Sequence, residues 1–308
     1  AGQRLASTLI LDATASIATG QAPVWPASFV EAARRLLQTQ AQRGAAFVAE
    51  ALTLPGETTL AEALDVVDPD VLHAARNALR RHLAEQLEGE FANLYAALAP
   101  DAPYAPDSEQ AGRRALRNIC LAYLLELDTP AIRQLALQQF QTADNMTDQF
   151  AALAALANVN GADCPEREAA LADFYARWQH EALVVDKWLA VQSTSRRPDT
   201  LATVKALTAH PAFDIGNPNK IYALIRAFGA NLVRFNAADG SGYAFIADRV
   251  LDLHDRNPQV ASRLARCFDR WKKFDASRQA YARNALERIR NHDGLSRDVL
   301  EIVTRALS

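Results

Sequence analysis

The stretch Leu116-Arg-Asn-Ile-Cys-Leu-Ala-Tyr-Leu-Leu-Glu-Leu127 decides the fold class. Its apolar residues Leu116, Ile119, Cys120, Tyr123, Leu124 and Leu127 fall at i, i+3, i+4, i+7, i+8 and i+11, the spacing that lines one face of an α-helix. Directly after it, Thr129-Pro130 offers a capping hydroxyl and a proline at the first helical position, where the missing N–H costs nothing. Ile132, Leu135, Ala136 and Phe140 then repeat the one-faced pattern.

The same reading extends in both directions. Ser28-x-x-Glu31 and Thr59-x-x-Glu62 have the form of capping boxes, the first before Phe29, Val30, Ala33, Leu36 and Leu37, the second before Leu60, Ala63 and Leu64. Asp68-Pro69 opens a helix carrying Leu72, Ala75, Leu79, Leu83 and Leu87. Leu264, Cys267, Phe268 and Trp271 predict another apolar face. Val299, Ile302, Val303 and Leu307 predict a last one, after Gly294 and a capping Ser296. No segment alternates as a half-buried strand does.

Breakers punctuate these runs at Pro55-Gly56, Pro100 to Pro106, Asn160-Gly161, Arg197-Pro198, Asn217-Pro218, Asp239-Gly240 and Asn257-Pro258. Most intervals hold one or two helices, which suits an all-α stack of many short antiparallel helices. No strict period appears, so any repeat is structural and degenerate. The expectation is one α-solenoid over residues 1–308, with a candidate sub-boundary near 195–215.

Composition agrees. Glycine and proline number 12 and 13 in 308 residues, about 4% each against ordinary usage of roughly 7% and 5%. The chain is 50% hydrophobic and 22% charged, which excludes a disordered chain. Its 33 basic and 36 acidic residues leave a net charge of −3, which argues against a nucleic-acid partner. No apolar run approaches the ~20 residues of a membrane helix. Cys120, Cys164 and Cys267 form no disulfide framework and read as buried thiols in a reducing compartment. The opening Ala1-Gly2-Gln3-Arg4 has no signal-peptide pattern. With Met146 the only methionine, the chain reads as processed or cut from something longer.

The residues offer no self-contained active site. The six histidines are His73, His82, His180, His210, His254 and His292. The nearest approach to the H-E-x-x-H zinc motif is His180-Glu181-Ala-Leu-Val184, which lacks the second ligand, and His180 reads as an ordinary helix-face histidine. There is no G-x-S-x-G elbow. Asp239-Gly-Ser-Gly-Tyr243 lacks the strand and the G-K-[ST] ending of a phosphate loop, and reads as a tight turn feeding a helix with Phe245, Ile246 and Val250. The short basic clusters (Arg34-Arg35, Arg80-Arg81-His82, Arg113-Arg114, Arg196-Arg197, Lys272-Lys273) read as solvated faces.

Several strings together resemble the C-terminal domain of the bacterial aminopeptidase N family. They are Gln3-Arg-Leu-Ala-Ser-Thr-Leu9, Arg114-Ala-Leu-Arg-Asn-Ile-Cys-Leu121, Ala143-Asp-Asn-Met-Thr-Asp148 and Leu183-Val-Val-Asp-Lys-Trp188. His210-Pro-Ala-Phe213, Asn217-Pro-Asn-Lys220, Asp239-Gly-Ser-Gly-Tyr243 and Arg256-Asn-Pro-Gln-Val-Ala-Ser-Arg-Leu264 follow in order. The resemblance implies a superhelical, armadillo- or HEAT-like domain that closes over a separate catalytic domain and walls a chamber admitting peptides. The parent is then a cytoplasmic zinc aminopeptidase. Its metal motif and its G-x-M-E-N motif lie outside this chain, which has no catalytic or metal-binding residue and no cofactor of its own. Its partners are the parent's own catalytic domain and peptide substrates.

By the same resemblance, Arg263 is the leading substrate-facing candidate, with Gln259 and Asn257 beside it and Asn219 and Tyr222 after Asn217-Pro218. Relatives can carry a second chamber arginine at the position of Tyr222. The plainer alternatives are that Asn257-Pro258 only starts a helix and that Arg263 pairs with Asp255 or Asp269. A different class of function, a free-standing helical scaffold binding a protein or peptide on its concave face, is separated from the aminopeptidase reading by the upstream reading frame.

Overall fold

The computed structural model describes residues 2–161 and 163–308; Ala1, the first residue of the opening tetrapeptide, and Ala162 lie outside the described residues. Every regular element among the described residues is a helix, and the one β feature is a single bridge between Val67 and Phe274. The all-α expectation therefore holds. The chain forms two compact units, one of Ala1–Leu60 and Val71–Asp173, the other of Ala61–Asp70 and Phe174–Ser308. Residues 195–215 all lie within the second.

In the first unit the helix Ser108–Leu124 is central. Helices Ala45–Leu52, Glu88–Ala97 and Met146–Leu156 pack on it, and Pro130–Thr142 packs on the last of these. Leu116, Cys120, Tyr123 and Leu124 are buried as the spacing demands, with Ile119 and Leu127 half-buried. The helix tightens into a 3-10 turn at Leu125–Leu127, which ends where Asp128 takes a left-handed conformation at φ 53°. Thr129 then caps the next one, its hydroxyl accepting from Ile132 N at 3.3 Å. Leu72, Ala75, Leu79, Leu83 and Leu87 are all buried, and Asp68 accepts from Asp70 N at 2.9 Å.

Several local expectations are corrected. Ser28 and Thr59 lie inside helices Ala27–Gln38 and Glu57–Glu62. Glu31 spends its carboxylate on Arg34 and Arg35, and Glu62 pairs with Arg270. Their charges found arginines, so neither capping box closes. Ser296 makes no cap bond. His180 is exposed in a turn between helices and not on a helix face. Leu264 to Trp271 is not one helix, because Pro258–Ala265 tightens into 3-10 turns at Arg266–Phe268 and Trp271–Lys273. The basic clusters are also less solvated than expected. Arg34 reaches Glu90 at 2.6 Å, and Lys273 donates to the carbonyls of Ala61, Glu62 and Leu64.

The second unit is organised around rings. Phe228, Phe235, Tyr243, Phe245 and Phe268 are buried together, most pairs meeting edge to face with centroids 5.1 to 6.4 Å apart. Such geometry adds to the burial energy of the rings themselves. Tyr243 settles its hydroxyl on Asn236 Oδ1 at 2.9 Å, and burial pushes its pKa up. Asp239-Gly-Ser-Gly-Tyr243 is a turn starting the Ser241–Leu253 helix. A Cβ on Gly242 would lie 2.2 Å from the Phe235 carbonyl oxygen, so this position tolerates only glycine.

Within this unit a buried guanidinium fixes residues 61–70. Arg278 pairs with Asp70, Asp275 and Asp68, and donates to the Asn236 carbonyl at 2.7 Å. Asp275 also caps the helix Ala276–Arg290. Burial raises the Asp275 carboxyl, but hydrogen bonds from Ser277 and Arg278 and the Arg278 charge outweigh it, pulling the acid down to about 2. A depressed carboxylate gives stability that is complete above its unfolded pKa of about 4 and drains as pH falls through the folded value. Asn keeps the cap but not the charge. We therefore expect Asp275→Asn to unfold at lower urea than the parent at neutral pH, and the gap to shrink between pH 4 and about 2. A gap of constant size down to pH 2 would contradict this.

Candidate functional site

Two segments of the second unit carry the candidate residues. The first begins at Asn217, whose side chain accepts from Asn219 N at 3.0 Å, with Pro218 at the first helical position. The run Pro218–Ile221 continues into a π-helical turn at Tyr222–Arg226 and closes at Ala227–Gly229. Ala227 N bonds to the carbonyl of Tyr222, five residues back. Such widened turns recur at functional sites, because they shift the side chains that follow them around the axis.

The second segment begins at Asn257, whose Oδ1 accepts from Val260 N at 3.1 Å. The helix Pro258–Ala265 buries Val260, Ala261, Leu264 and Ala265. That leaves Gln259 and Arg263 exposed on its opposite face.

The segments meet closely at one point. A Cβ on Gly229 would lie 2.4 Å from Cys267 Sγ and 3.7 Å from Ile246 Cδ1. Glycine therefore lets the backbone of the first run come right up to the thiol. Burial drives the Cys267 thiol up to about 12, against the pull of the Arg226 charge. It is a packing group and no nucleophile. Burial also lifts Cys120 to about 12 and Cys164 to about 11.

Along this seam Arg263 donates from Nη1 to the Tyr222 hydroxyl at 3.1 Å. The two candidates from separate motifs are thus brought together. The alternative pairing of Arg263 with Asp255 or Asp269 is not observed. Asp255 meets His254 at 3.0 Å and Asp269 meets Arg266 at 3.1 Å. Arg263 has no carboxylate partner among the described residues. Asn257 spends its side-chain oxygen on the helix start. Asn219 and Gln259 are exposed, and no hydrogen bond joins either to the Arg263–Tyr222 pair among the described residues.

Arg226 was missed by sequence reasoning. It is exposed on the π turn, has no carboxylate partner among the described residues, and exerts its charge on Cys267. Its only sequence signal is its place four residues after Tyr222. Arg263 and Arg226 are both exposed guanidiniums, groups whose planar forks can match a carboxylate in two parallel hydrogen bonds. No grouping of three or more His, Cys, Asp or Glu among the described residues could hold a metal ion, so the residues present do not fit a zinc site. No described helix is long and apolar enough to cross a membrane.

Fold and seam together describe an all-helical domain in which an arginine and a tyrosine from separate segments meet at hydrogen-bond distance. The chain belongs to the family described as "Domain of unknown function (DUF3458_C) ARM repeats", which matches residues 1–308. It is 40% identical to aminopeptidase N of Escherichia coli (strain K12) and 39% identical to that of Caulobacter vibrioides. Each alignment takes in 100% of this chain and 35% of the relative. Aminopeptidase N of Haemophilus influenzae is 38% identical over 83% of this chain and 29% of its own length. The aligned region is a C-terminal part of these relatives. The crystal structure of Legionella pneumophila aminopeptidase A in complex with aspartic acid superposes with a TM-score of 0.88 at 32% identity, covering 99% of this chain and 36% of that one. The chain thus spans about a third of the length of the curated relatives it matches.

If the Gly229–Cys267 contact sets the seam, Gly229→Ala will lower thermal stability by about 1–3 kcal/mol through overpacking. Adding Cys267→Ala will recover part of that loss. A Gly229→Ala variant that melts with the parent would show that the approach is looser than described.

Proposed function

We propose that this chain is the C-terminal helical domain of a cytoplasmic zinc aminopeptidase that releases N-terminal residues from peptides. Its helices wall a chamber over the catalytic domain and limit entry to chains thin enough to pass. The observation that carries this reading is the alignment of the whole chain, without a missing part, to a C-terminal third of aminopeptidase N.

The chain's own residues act by binding, orientation and exclusion of water. The metal that activates water for peptide-bond cleavage is supplied by the catalytic domain, and no chemical step is assigned to any residue of residues 1–308. A peptide held there by its free amine directs its carboxylate end away from the reacting bond. Arg263, exposed and without a carboxylate partner among the described residues, meets that anion with a charge-assisted fork. Gln259 and Asn219 supply neutral polar contacts on the same wall. Holding the far end of the peptide limits its motion at the reacting end, and covering the site excludes bulk water.

The test separates the domain from its parent. Purified residues 1–308 are expected to release no p-nitroaniline from alanine p-nitroanilide. The longer gene product containing them is expected to do so, with loss of activity on chelation. Turnover by the isolated chain in proportion to its concentration would overturn the assignment of the chemistry.

A further inference from the structure

The hydroxyl of Tyr222 lies 3.1 Å from Arg263 Nη1 and accepts its hydrogen. This bond has a consequence for what the arginine can do. An exposed arginine loses considerable rotamer freedom when a ligand fixes it. Here a half-buried ring on a helical run already fixes one corner of the guanidinium. The bond uses Nη1, so the edge formed by Nε and Nη2 stays open. That edge offers the two parallel N–H donors that a carboxylate accepts best.

The partner's chemistry matters as much as its position. A carboxylate at residue 222 would orient Arg263 but cancel its charge. A phenol orients it and adds no negative charge. Arg226, on the next turn, bears on Cys267, where the Asp269 carboxylate opposes its charge.

We propose that Tyr222 is a positioning residue, which holds Arg263 with its Nε–Nη2 edge presented to the terminal carboxylate of a bound peptide. This rests on the aminopeptidase reading above. The Tyr222–Arg263 pair prepares the wall for a free C-terminus and discriminates against peptides whose end is amidated.

The experiment uses the full-length enzyme that contains this chain, with a tripeptide as the free acid and as the C-terminal amide. Tyr222→Phe keeps the ring and removes the acceptor. The expected result is a rise in KM of about three- to tenfold for the free acid, the range of one hydrogen bond, with the KM for the amide moving less than twofold. Arg263→Gln is expected to raise KM for the free acid at least as much. Adding Tyr222→Phe to Arg263→Gln is expected to change nothing further. If Arg263→Gln raises the acid's KM and Tyr222→Phe does not, the positioning role is wrong and the reading of Arg263 stands. If Tyr222→Phe raises both KM values equally, Tyr222 only supports the fold and the inference falls. If neither variant distinguishes acid from amide, the inference and the chamber role of Arg263 fall together.

Discussion

The absence of a side chain at Gly229 sets the register of the candidate face. Because nothing projects from that residue, the helical run from Pro218 settles against Cys267 at a separation that any added Cβ would crowd. With 229 placed on 267, residues 222 and 263 fall opposite each other, and their polar ends meet at hydrogen-bond distance. The π turn between 222 and 229 belongs to the same constraint. It takes up an extra residue within the run, so that Gly229 can face the thiol while Tyr222 still faces the arginine. Van der Waals fit at an apolar contact thereby determines the geometry of a polar one a turn and a half away.

That seam stands on a firmly held base within its unit. Arg278 gathers three carboxylates and a main-chain carbonyl, while Lys273 closes the carbonyl end of the Glu57–Glu62 helix. Val67 N bonds to the Lys273 carbonyl at 2.8 Å. Trp271 donates from Nε1 to the Ala306 carbonyl at 2.9 Å, tying the segment after Arg263 to the last helix. Burying a charge is costly unless it is paired and fully hydrogen-bonded, and Arg278 meets that condition. The polar groups in this region are spent on holding backbone in place. That leaves Arg263 and Arg226 as cations on the seam without carboxylate partners among the described residues.

The helices were legible because they are stabilised by short-range spacing. Leu116 to Leu124, the Thr129 cap and the Asp68-Pro69 start depend on residues within a few positions of one another, and each came out as its pattern indicated. Ser28 and Thr59 misled because a capping box competes with other partners for its glutamate, and the guanidiniums that won could not be ranked from the string. The break after Ala265 is invisible to apolar spacing, since 3-10 turns keep Leu264, Phe268 and Trp271 buried while shortening the hydrogen-bond step. The candidate residues were legible only through resemblance. Their meeting depends on a contact 41 residues apart in sequence and on a glycine whose importance lies in what it lacks. Arg226 carried no motif at all, and only its position on a widened turn brings it to the face.

On the proposed reading, the Arg263–Tyr222 seam receives the far end of a peptide bound to the full-length protein. A structure of the full-length protein with a non-hydrolysable tripeptide bound tests it most directly. The expected result is a terminal carboxylate within hydrogen-bond distance of the Arg263 guanidinium, with the Tyr222 hydroxyl still on Nη1. A carboxylate bound elsewhere, with Arg263 directed away from the peptide, would contradict it.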